Sequence, residues 1–398
     1  MANEAVNAWD QRVLIGAEST FLTSPDPAAA QAVELITLDT GPGGELGVIR
    51  PKRDRQAGRG MQGDWVEGRV APIPWSLEKS VMGRADADDL PAESVLYRAG
   101  GFLETVNSST SVVYTPHGSP ITQASAFQGA TIRATKGLDS SYAAYLSEEL
   151  YGCITQQLAF SGGDKEVSLK ASGVAAGKRH GGRIDSITLS DGSGTTLTTT
   201  AAESYMLSDG AYFQIESEII RIVTTNYGST SHTIARAQLS SSGAAHSGAV
   251  MTPYVPSVSV DTRRPIPEST GTVSVDGSAL RCTSWSVNVA TGMAPLPGET
   301  GSKRYQGAKA TRVDTKFSFT LALRREGVAL LGKVRARKTV VLSVSQGTGA
   351  GKIFTFASSY CELDPLKIPD TFNDIAMVTL TGRVRDSDGN DSFTLTLT

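Results

Sequence analysis

Residues 212–249, YFQIESEIIRIVTTNYGSTSHTIARAQLSSSGAAHSGA, have the pattern of a small unit made of short β-strands. Apolar side chains recur at strand spacing between polar ones. They are Phe213, Ile215, Ile219, Ile220, Ile222 and Val223. Turn-forming residues follow from Asn226 to Ser229, and another strand begins at Thr233. The segment offers no nucleophile beside a base and no metal-ligand spacing, so we interpret it as structural and not catalytic.

The composition changes on both sides of this unit. From residue 186 to residue 252, 23 of the 67 residues are Ser or Thr and only seven are Asp, Glu, Lys or Arg. Residues 178–182 (KRHGG) have the composition of a linker that leads into it. We therefore predict a small β-domain at residues 183–255, inserted into a larger domain formed by residues 1–182 and 256–398.

The whole chain is rich in turn formers and poor in helix signals. Its 398 residues include 41 Gly and 17 Pro. Only three short helices are predicted, at residues 76–83, at residues 91–100 with Asp89 as a possible cap, and at residues 325–332. We predict an all-β protein with a few short helices, in which a sandwich or barrel-forming domain carries a small β-barrel.

Alternation of apolar and polar residues predicts the strands of the C-terminal third. The apolar members are Trp285, Val287 and Val289; Val313, Phe317, Phe319, Leu321 and Leu323; Ala376, Val378, Leu380 and Val384; and Phe393, Leu395 and Leu397. Antiparallel pairing is expected because the connections are short, and residues 386–391 (DSDGND) predict a hairpin between the last two strands.

Charge and cysteine usage exclude several classes of protein. The net charge of −3 argues against a dedicated nucleic-acid binder, which must neutralise many phosphates at once. The widely spaced Cys153, Cys282 and Cys361 suggest reduced, buried thiols and not a disulfide framework or a zinc site. No apolar run approaches a membrane span and no signal peptide opens the chain, so we expect a soluble protein made in the cytoplasm, with no membrane insertion.

None of the candidate catalytic and metal-binding motifs has the residue spacing that its chemistry requires. The glycines of residues 347–352 (GTGAGK) lack Walker spacing and predict a hairpin turn. Residues 386–391 lack the Gly and Glu positions of a calcium loop. His117, His180, His232 and His246 show no paired spacing, and we expect His246 to bond the backbone at a turn. We predict no enzymatic activity, no cofactor and no metal.

Two segments, residues 50–59 and 324–338, are rich in basic side chains. The first carries Arg50, Lys52, Arg53, Arg55 and Arg59 against the single acid Asp54. A solvated loop is one interpretation. The other is an inter-subunit contact loop that docks on an acidic patch of a neighbouring copy.

Several stretches resemble bacteriophage tail proteins. The insert, with Glu218, Arg236-Ala237 and GAAHSGA, is similar to a small β-module that recurs in them. The rest of the chain resembles a phage major tail tube protein. The resemblance rests on residues 12–21 (RVLIGAESTF), 61–83 (MQGDWVEGRVAPIPWSLEKSVMG) and 374–398 (DIAMVTLTGRVRDSDGNDSFTLTLT).

This resemblance implies a structural virion protein. Subunits of such proteins form hexameric rings with about four strands each in a closed barrel, and the rings stack into a tube that conducts DNA into the host. Implied partners are further copies of the chain, a tape-measure protein, a tail terminator protein and DNA in transient, non-specific passage. The implied location is the virion tail, assembled in the host cytoplasm.

Finer expectations follow from that function. We expect the insert on the tube exterior, the 50–59 loop on adjacent subunits, and a lumen lined by Ser, Thr, Asn and acids, since a basic wall would retain DNA. The alternative is a tail-tip receptor- or carbohydrate-binding β-protein. Its stacking platforms would be aromatic residues, among them Trp9, Trp65, Trp75 and Trp285.

Overall fold

The computed structural model of the protein describes residues 11–25, 27, 31–33, 37–39, 71–84, 86, 89–116, 128–138, 144–257, 265–267, 272–280, 282–296, 304–322, 332–333, 336, 338–365, 377–385 and 393–398. The strands before the insert are β1 (Gln11–Ala17), β2 (Gln31–Val33), β3 (Thr37–Asp39), β4 (Ile73–Ser80), β5 (Phe102–Asn107), β6 (Ser111–Pro116), β7 (Ala130–Leu138), β8 (Ala144–Gly163), β9 (Ser168–Ala175) and β10 (Gly177–Gly182). Those of the insert are β11 (Ile184–Leu189), β12 (Thr196–Thr198), β13 (Tyr212–Ile215), β14 (Glu218–Thr224), β15 (Ser231–Ala235) and β16 (His246–Pro253). Those after it are β17 (Thr272–Val275), β18 (Ser278–Leu280), β19 (Cys282–Ala290), β20 (Met293–Leu296), β21 (Gly307–Ala310), β22 (Asp314–Ala322), β23 (Val340–Gln346), β24 (Phe354–Leu363), β25 (Met377–Val384) and β26 (Thr394–Leu397).

Two antiparallel sheets form the larger part of the protein. The first runs β3-β4-β9-β8-β19-β22-β25. The second runs β18-β17-β23-β24-β26-β6-β5. The end of β24 pairs with β25 and so joins the two sheets along one side. The first half of the long strand β8 pairs instead with β7 and β10, and β7 leads on to β1 and β2.

The two sheets pack face to face around a single aromatic-rich core. Trp285 of β19 stacks on Phe354 of β24 with ring centroids 5.7 Å apart and planes within 8°, and Phe160 of β8 lies 5.1 Å from the same Phe354 ring. Because β24 is not hydrogen-bonded to β8 or β19, these contacts cross the space between the layers. The arrangement is a β-sandwich.

One predicted helix closes an end of this core. The helix predicted at residues 91–100 is present as α1 (Ser94–Ala99), with five of its six residues buried. Its N-cap residue is Glu93 and not Asp89, and no side chain caps it. The Glu93 carboxylate instead accepts a 2.5 Å hydrogen bond from Lys79 of β4, with both side chains buried. This ion pair ties the start of the helix to the first sheet.

The insert is a closed six-stranded barrel in the order β11-β12-β15-β14-β13-β16. A separate apolar core fills it, and Phe213, Ile215, Ile220 and Ile222 from the opening sequence segment are completely buried there. Arg133 of β7 and Arg12 of β1 donate hydrogen bonds to the carbonyls of Tyr254 and Pro256, just after the barrel, each at 2.8 Å. The prediction of an all-β fold with an inserted small barrel is confirmed. The boundaries 183–255 for an independent domain stay a prediction.

Three local predictions are wrong. Residues 76–83 are not a helix: they overlap β4, whose burial alternates with a period of two, so pairing with β9 outweighs a weak helix signal. Residues 178–182 are not a linker but belong to β10, which pairs with β8. Finally, β25 and β26 do not pair with each other within the described residues; each pairs with a different part of β24.

Candidate functional site

A row of hydroxyl side chains crosses the outer face of the first sheet. Direct cross-strand neighbours, from β4 to β25, are Ser80, Ser168, Ser161, Ser286, Ser318 and Thr381. Side chains alternate between the faces of a strand, and the flanking Trp285, Val287, Phe317 and Phe319 are buried in the core. The hydroxyls therefore point away from the core.

The adjacent row on this face is charged. Its members in strand order are Glu78, Lys170, Ala159, Asn288, Lys316 and Arg383. Three of the six carry a positive charge and one a negative charge. This face therefore combines hydroxyls with basic side chains that can contact acidic groups.

The outer face of the second sheet is different, because it carries almost no charge. One cross-strand row, from β17 to β5, consists of Thr272, Ser345, Thr355, Thr396, Val113 and Thr105. A second includes Ala279, Ser274, Ser343, Ala357 and Thr394. Among the outward positions that the structure describes on these seven strands, the charged residue is Glu362 at the end of β24, and Arg385 neutralises it. We call this surface the hydroxyl face.

The hydroxyl face ends at two edge strands, for each of which the described residues show pairing with one other strand. Within the described residues, β5 pairs with β6 alone and β18 pairs with β17 alone. Leu103 and Val106 of β5 are each 48% exposed. An edge strand that presents apolar side chains and backbone hydrogen-bonding groups is a template for pairing with another chain.

Glu218, Arg236 and His246 form a polar cluster inside the barrel. The fully buried Glu218 carboxylate accepts hydrogen bonds from Arg236, from His246 Nε2 at 3.0 Å, and from the backbone N–H groups of Ala237 and Ala244. Burial raises the pKa of Glu218, but these donors outweigh it and lower the pKa to about 2. His246 thus bonds a carboxylate and not the backbone that we expected. Donors from four residues converge on one buried carboxylate, so we interpret the cluster as a structural element of the barrel.

The two tryptophans that the structure describes do not supply stacking platforms. Trp75 is 2% exposed and Trp285 is 3% exposed, so both belong to the sandwich core. Trp9 and Trp65 lie outside the described residues, as do Arg50, Lys52, Arg53, Arg55 and Arg59 of the predicted contact loop. In the second basic segment, Lys333 pairs with Asp276 on the surface.

Among the remaining motifs, residues 386–391 lie outside the described residues, and those that the structure describes give no chemical site. Residues 347–352 connect β23 to its partner β24, as predicted for a hairpin, and Gly347, Gly349 and Gly351 adopt positive φ angles there. In the described part of the chain, no group of three or more His, Cys, Asp or Glu side chains is placed to hold a metal ion. No helix among those residues is long and apolar enough to cross a bilayer.

Compared with models of known protein families and with the curated proteins, the chain matches none.

Proposed function

We propose that this chain is a structural subunit of a phage tail tube, which polymerises as stacked hexameric rings and conducts DNA during ejection. The observation that carries the proposal is the hydroxyl face. A broad sheet surface with almost no charge suits a DNA channel, whereas the surface of a protein that contacts only water normally carries many charged side chains.

The charge argument favours the hydroxyl face as the channel wall. Lys or Arg side chains along the wall would displace counterions from the duplex and hold it, which would oppose sliding. Ser and Thr side chains instead present hydroxyls that exchange hydrogen bonds with water. The opposite sandwich face carries Lys170, Lys316 and Arg383, so it is better suited to contact acidic surfaces of neighbouring subunits or rings.

The edges of the hydroxyl face support assembly from identical copies. A sheet with unpaired margins gains hydrogen bonds when a neighbour extends it, and rings that stack head to tail grow into a filament. A tape-measure protein and a terminator protein would limit its length. The inserted barrel would lie on the exterior, because a compact domain inside the channel would block DNA.

Electron microscopy of the purified full-length chain tests the assembly. Hollow rods or six-fold rings are the expected particles. Single globular particles at high protein concentration would overturn the proposal. In a reconstruction of the rods, the hydroxyl face should line the lumen; a lumen with excess positive charge would refute that placement.

Two variants separate the roles of the insert and of the basic loop. A chain in which residues 183–255 are replaced by a short Gly-Ser joint should still form tubes, and failure to do so would place the barrel in the assembly interface. Charge reversal of Arg50, Lys52, Arg53, Arg55 and Arg59 should weaken assembly, and assembly of the unmodified chain should weaken with added salt. Salt-independent assembly of the reversed variant would contradict a contact role for this loop.

A further inference from the structure

Two tyrosine rings stand in solvent at the end of the barrel nearest the sandwich. Tyr205 belongs to a 3-10 turn (Glu203–Met206) between β12 and β13, and Tyr227 lies in the turn between β14 and β15. Their side chains are 62% and 57% exposed, and the rings stack with centroids 5.9 Å apart and planes within 13°. Two exposed aromatic rings that stack on each other form an apolar patch on the surface. Such a patch indicates a binding site.

Hydrogen bonds fix both turns. The fully buried Ser204 hydroxyl accepts from the N–H of Gly228 at 2.7 Å and donates to the carbonyl of Ala201 at 2.6 Å, which ties the two turns together. His180 of β10 bonds the carbonyl of Tyr205 through Nε2 at 2.9 Å, so the sandwich also holds this turn. The rings are therefore positioned before any ligand arrives, and binding would cost little conformational entropy.

The surrounding groups select the class of ligand. Residues 199–211 and 224–230 contain no Lys or Arg, and the neighbouring Arg179 is already paired with Glu149. This argues against nucleic acid or a phosphorylated ligand, because both need cationic partners. The same loops are dense in hydroxyl groups and include Glu203, Asp209 and Asn226. Carboxylates and amides hydrogen-bond several sugar hydroxyls at once, while a flat aromatic face packs against the C–H face of a pyranose ring.

We propose that Tyr205 and Tyr227 form a glycan-binding platform on the inserted barrel. The rings stack on sugar C–H faces, and side chains of the two turns bond the hydroxyls. This site is separate from the hydroxyl face and does not depend on tube formation. Only the source of the glycan rests on the proposed function: a barrel on the tube exterior would meet the glycans of a cell surface.

Saturation-transfer NMR on the full-length chain tests the platform. The probes are the methyl glycosides of glucose, galactose, N-acetylglucosamine and rhamnose, followed by an array of bacterial polysaccharides. Transfer to the sugar C–H protons is expected for at least one probe. Tyr205→Ala and Tyr227→Ala should each weaken binding by about ten-fold or more, whereas Tyr→Phe at either position should retain most of it, since the stacking face is kept.

Tyr360→Ala is the matched control, because Tyr360 is 38% exposed but lies on the sandwich. It should bind as the unmodified chain does, and thermal unfolding should show that all variants remain folded. The proposal is overturned if no probe or polysaccharide binds, or if the alanine variants bind as strongly as the unmodified chain. It is also overturned if they change only self-association, because the tyrosines would then be a protein contact.

Discussion

The side chains of Glu218 and Arg236 form a two-point ion pair inside the small barrel. Arg236 Nε donates to Glu218 Oε1 at 2.8 Å and Arg236 Nη2 donates to Oε2 at 2.5 Å, with both side chains almost fully buried. Arg236 also donates to the carbonyls of Asp191 and Ala244. One ion pair thus fixes the start of β14, the end of β15 and the loop before β16.

Replacement of Glu218 by Gln should destabilise the barrel. The variant keeps the shape of the side chain but leaves Arg236 buried without a counter-charge, which costs about 3–5 kcal/mol when one partner of a buried pair is removed. Hydrogen exchange of barrel amides measures this loss separately from the sandwich. Glu216→Gln is the control: its side chain is 71% exposed, so the change should be below about 1 kcal/mol. Equal losses in the two variants would contradict the role of Glu218.

The same carboxylate predicts acid sensitivity. Its pKa is lowered to about 2 in the folded barrel, whereas an unfolded Glu titrates near about 4.3. The folded state therefore binds fewer protons, and the stabilisation is present above about pH 4.3 and is lost as the pH falls towards about 2. Barrel stability should decline over that interval, and Glu218→Gln should flatten this part of the profile. An unchanged slope would show that other groups cause the acid response.

A second pH effect is predicted at the buried His232. Its Nδ1 accepts a hydrogen bond from the N–H of Asn226 at 3.3 Å, and its Nε2 donates to Thr199 Oγ1 at 3.0 Å, so both ring positions are used by the neutral form. Burial lowers the pKa of His232. Because the unfolded chain binds the proton more readily, stability should fall as the pH drops below about 6.5.

NMR titration of the histidine ring protons measures this effect, and His232→Gln should remove the corresponding part of the stability profile. Protonation of His232 should also shift the turn that carries Tyr227, since Asn226 loses its acceptor. A His232 pKa at or above that of an unfolded histidine would contradict this account.

The sequence predicts those features of the fold that are set by local alternation. The pattern around Trp285 and Phe319 specifies strands with one buried face, and both strands lie where the pattern predicts. It also predicts the turn at residues 347–352. Strand partners are not specified in this way: the short connection between β25 and β26 favours a hairpin, but the longer β24 offers a pairing edge to both.

The two candidate surfaces depend on register and on tertiary contacts. Ser345, Thr355 and Thr396 of the hydroxyl face are unremarkable one at a time and become a row only when the strands of the second sheet align. Likewise, Tyr205 and Tyr227 stand 22 positions apart, and the bond between Ser204 and Gly228 that brings them together has no local sequence signal. The contact between Glu93 and Lys79 was missed for the same reason.

The buried side chain of Gln346 predicts a large effect from a one-atom change. Its Oε1 accepts from Trp285 Nε1 at 2.8 Å and from the N–H of Gly163 at 2.9 Å, and its Nε2 donates to the carbonyls of Lys165 and Pro267. Gln346→Glu would replace the Nε2 donor by a carboxylate oxygen. That oxygen would face the carbonyls of Lys165 and Pro267, which would lose their hydrogen-bond donor. The free energy of unfolding should fall by about 1–3 kcal/mol for each unsatisfied group.

Thermal and chemical unfolding of the variant chain measure the loss. Gln157→Glu is the matched control, because Gln157 is exposed on the outer face of the first sheet and its new charge would be solvated. A sandwich with Gln346→Glu that unfolds like the control would show that this amide does not hold the two sheets together.

The edge strand β5 provides a test that separates folding from assembly. Leu103 is exposed on this strand, opposite Thr115 of β6, so a Lys at this position reaches solvent in the isolated subunit and leaves the core intact. In a tube, the same charge would lie where a neighbouring copy extends the sheet, and charged side chains on edge strands, Lys above all, oppose such pairing. Leu103→Lys should therefore unfold at the same temperature as the unmodified chain but fail to form rods in electron micrographs.

Lys at Val250, an exposed barrel position, should permit rods, since the barrel is assigned to the exterior. The opposite result would be rods from the Leu103 variant and none from the Val250 variant. It would show that the barrel, and not β5, lies between subunits.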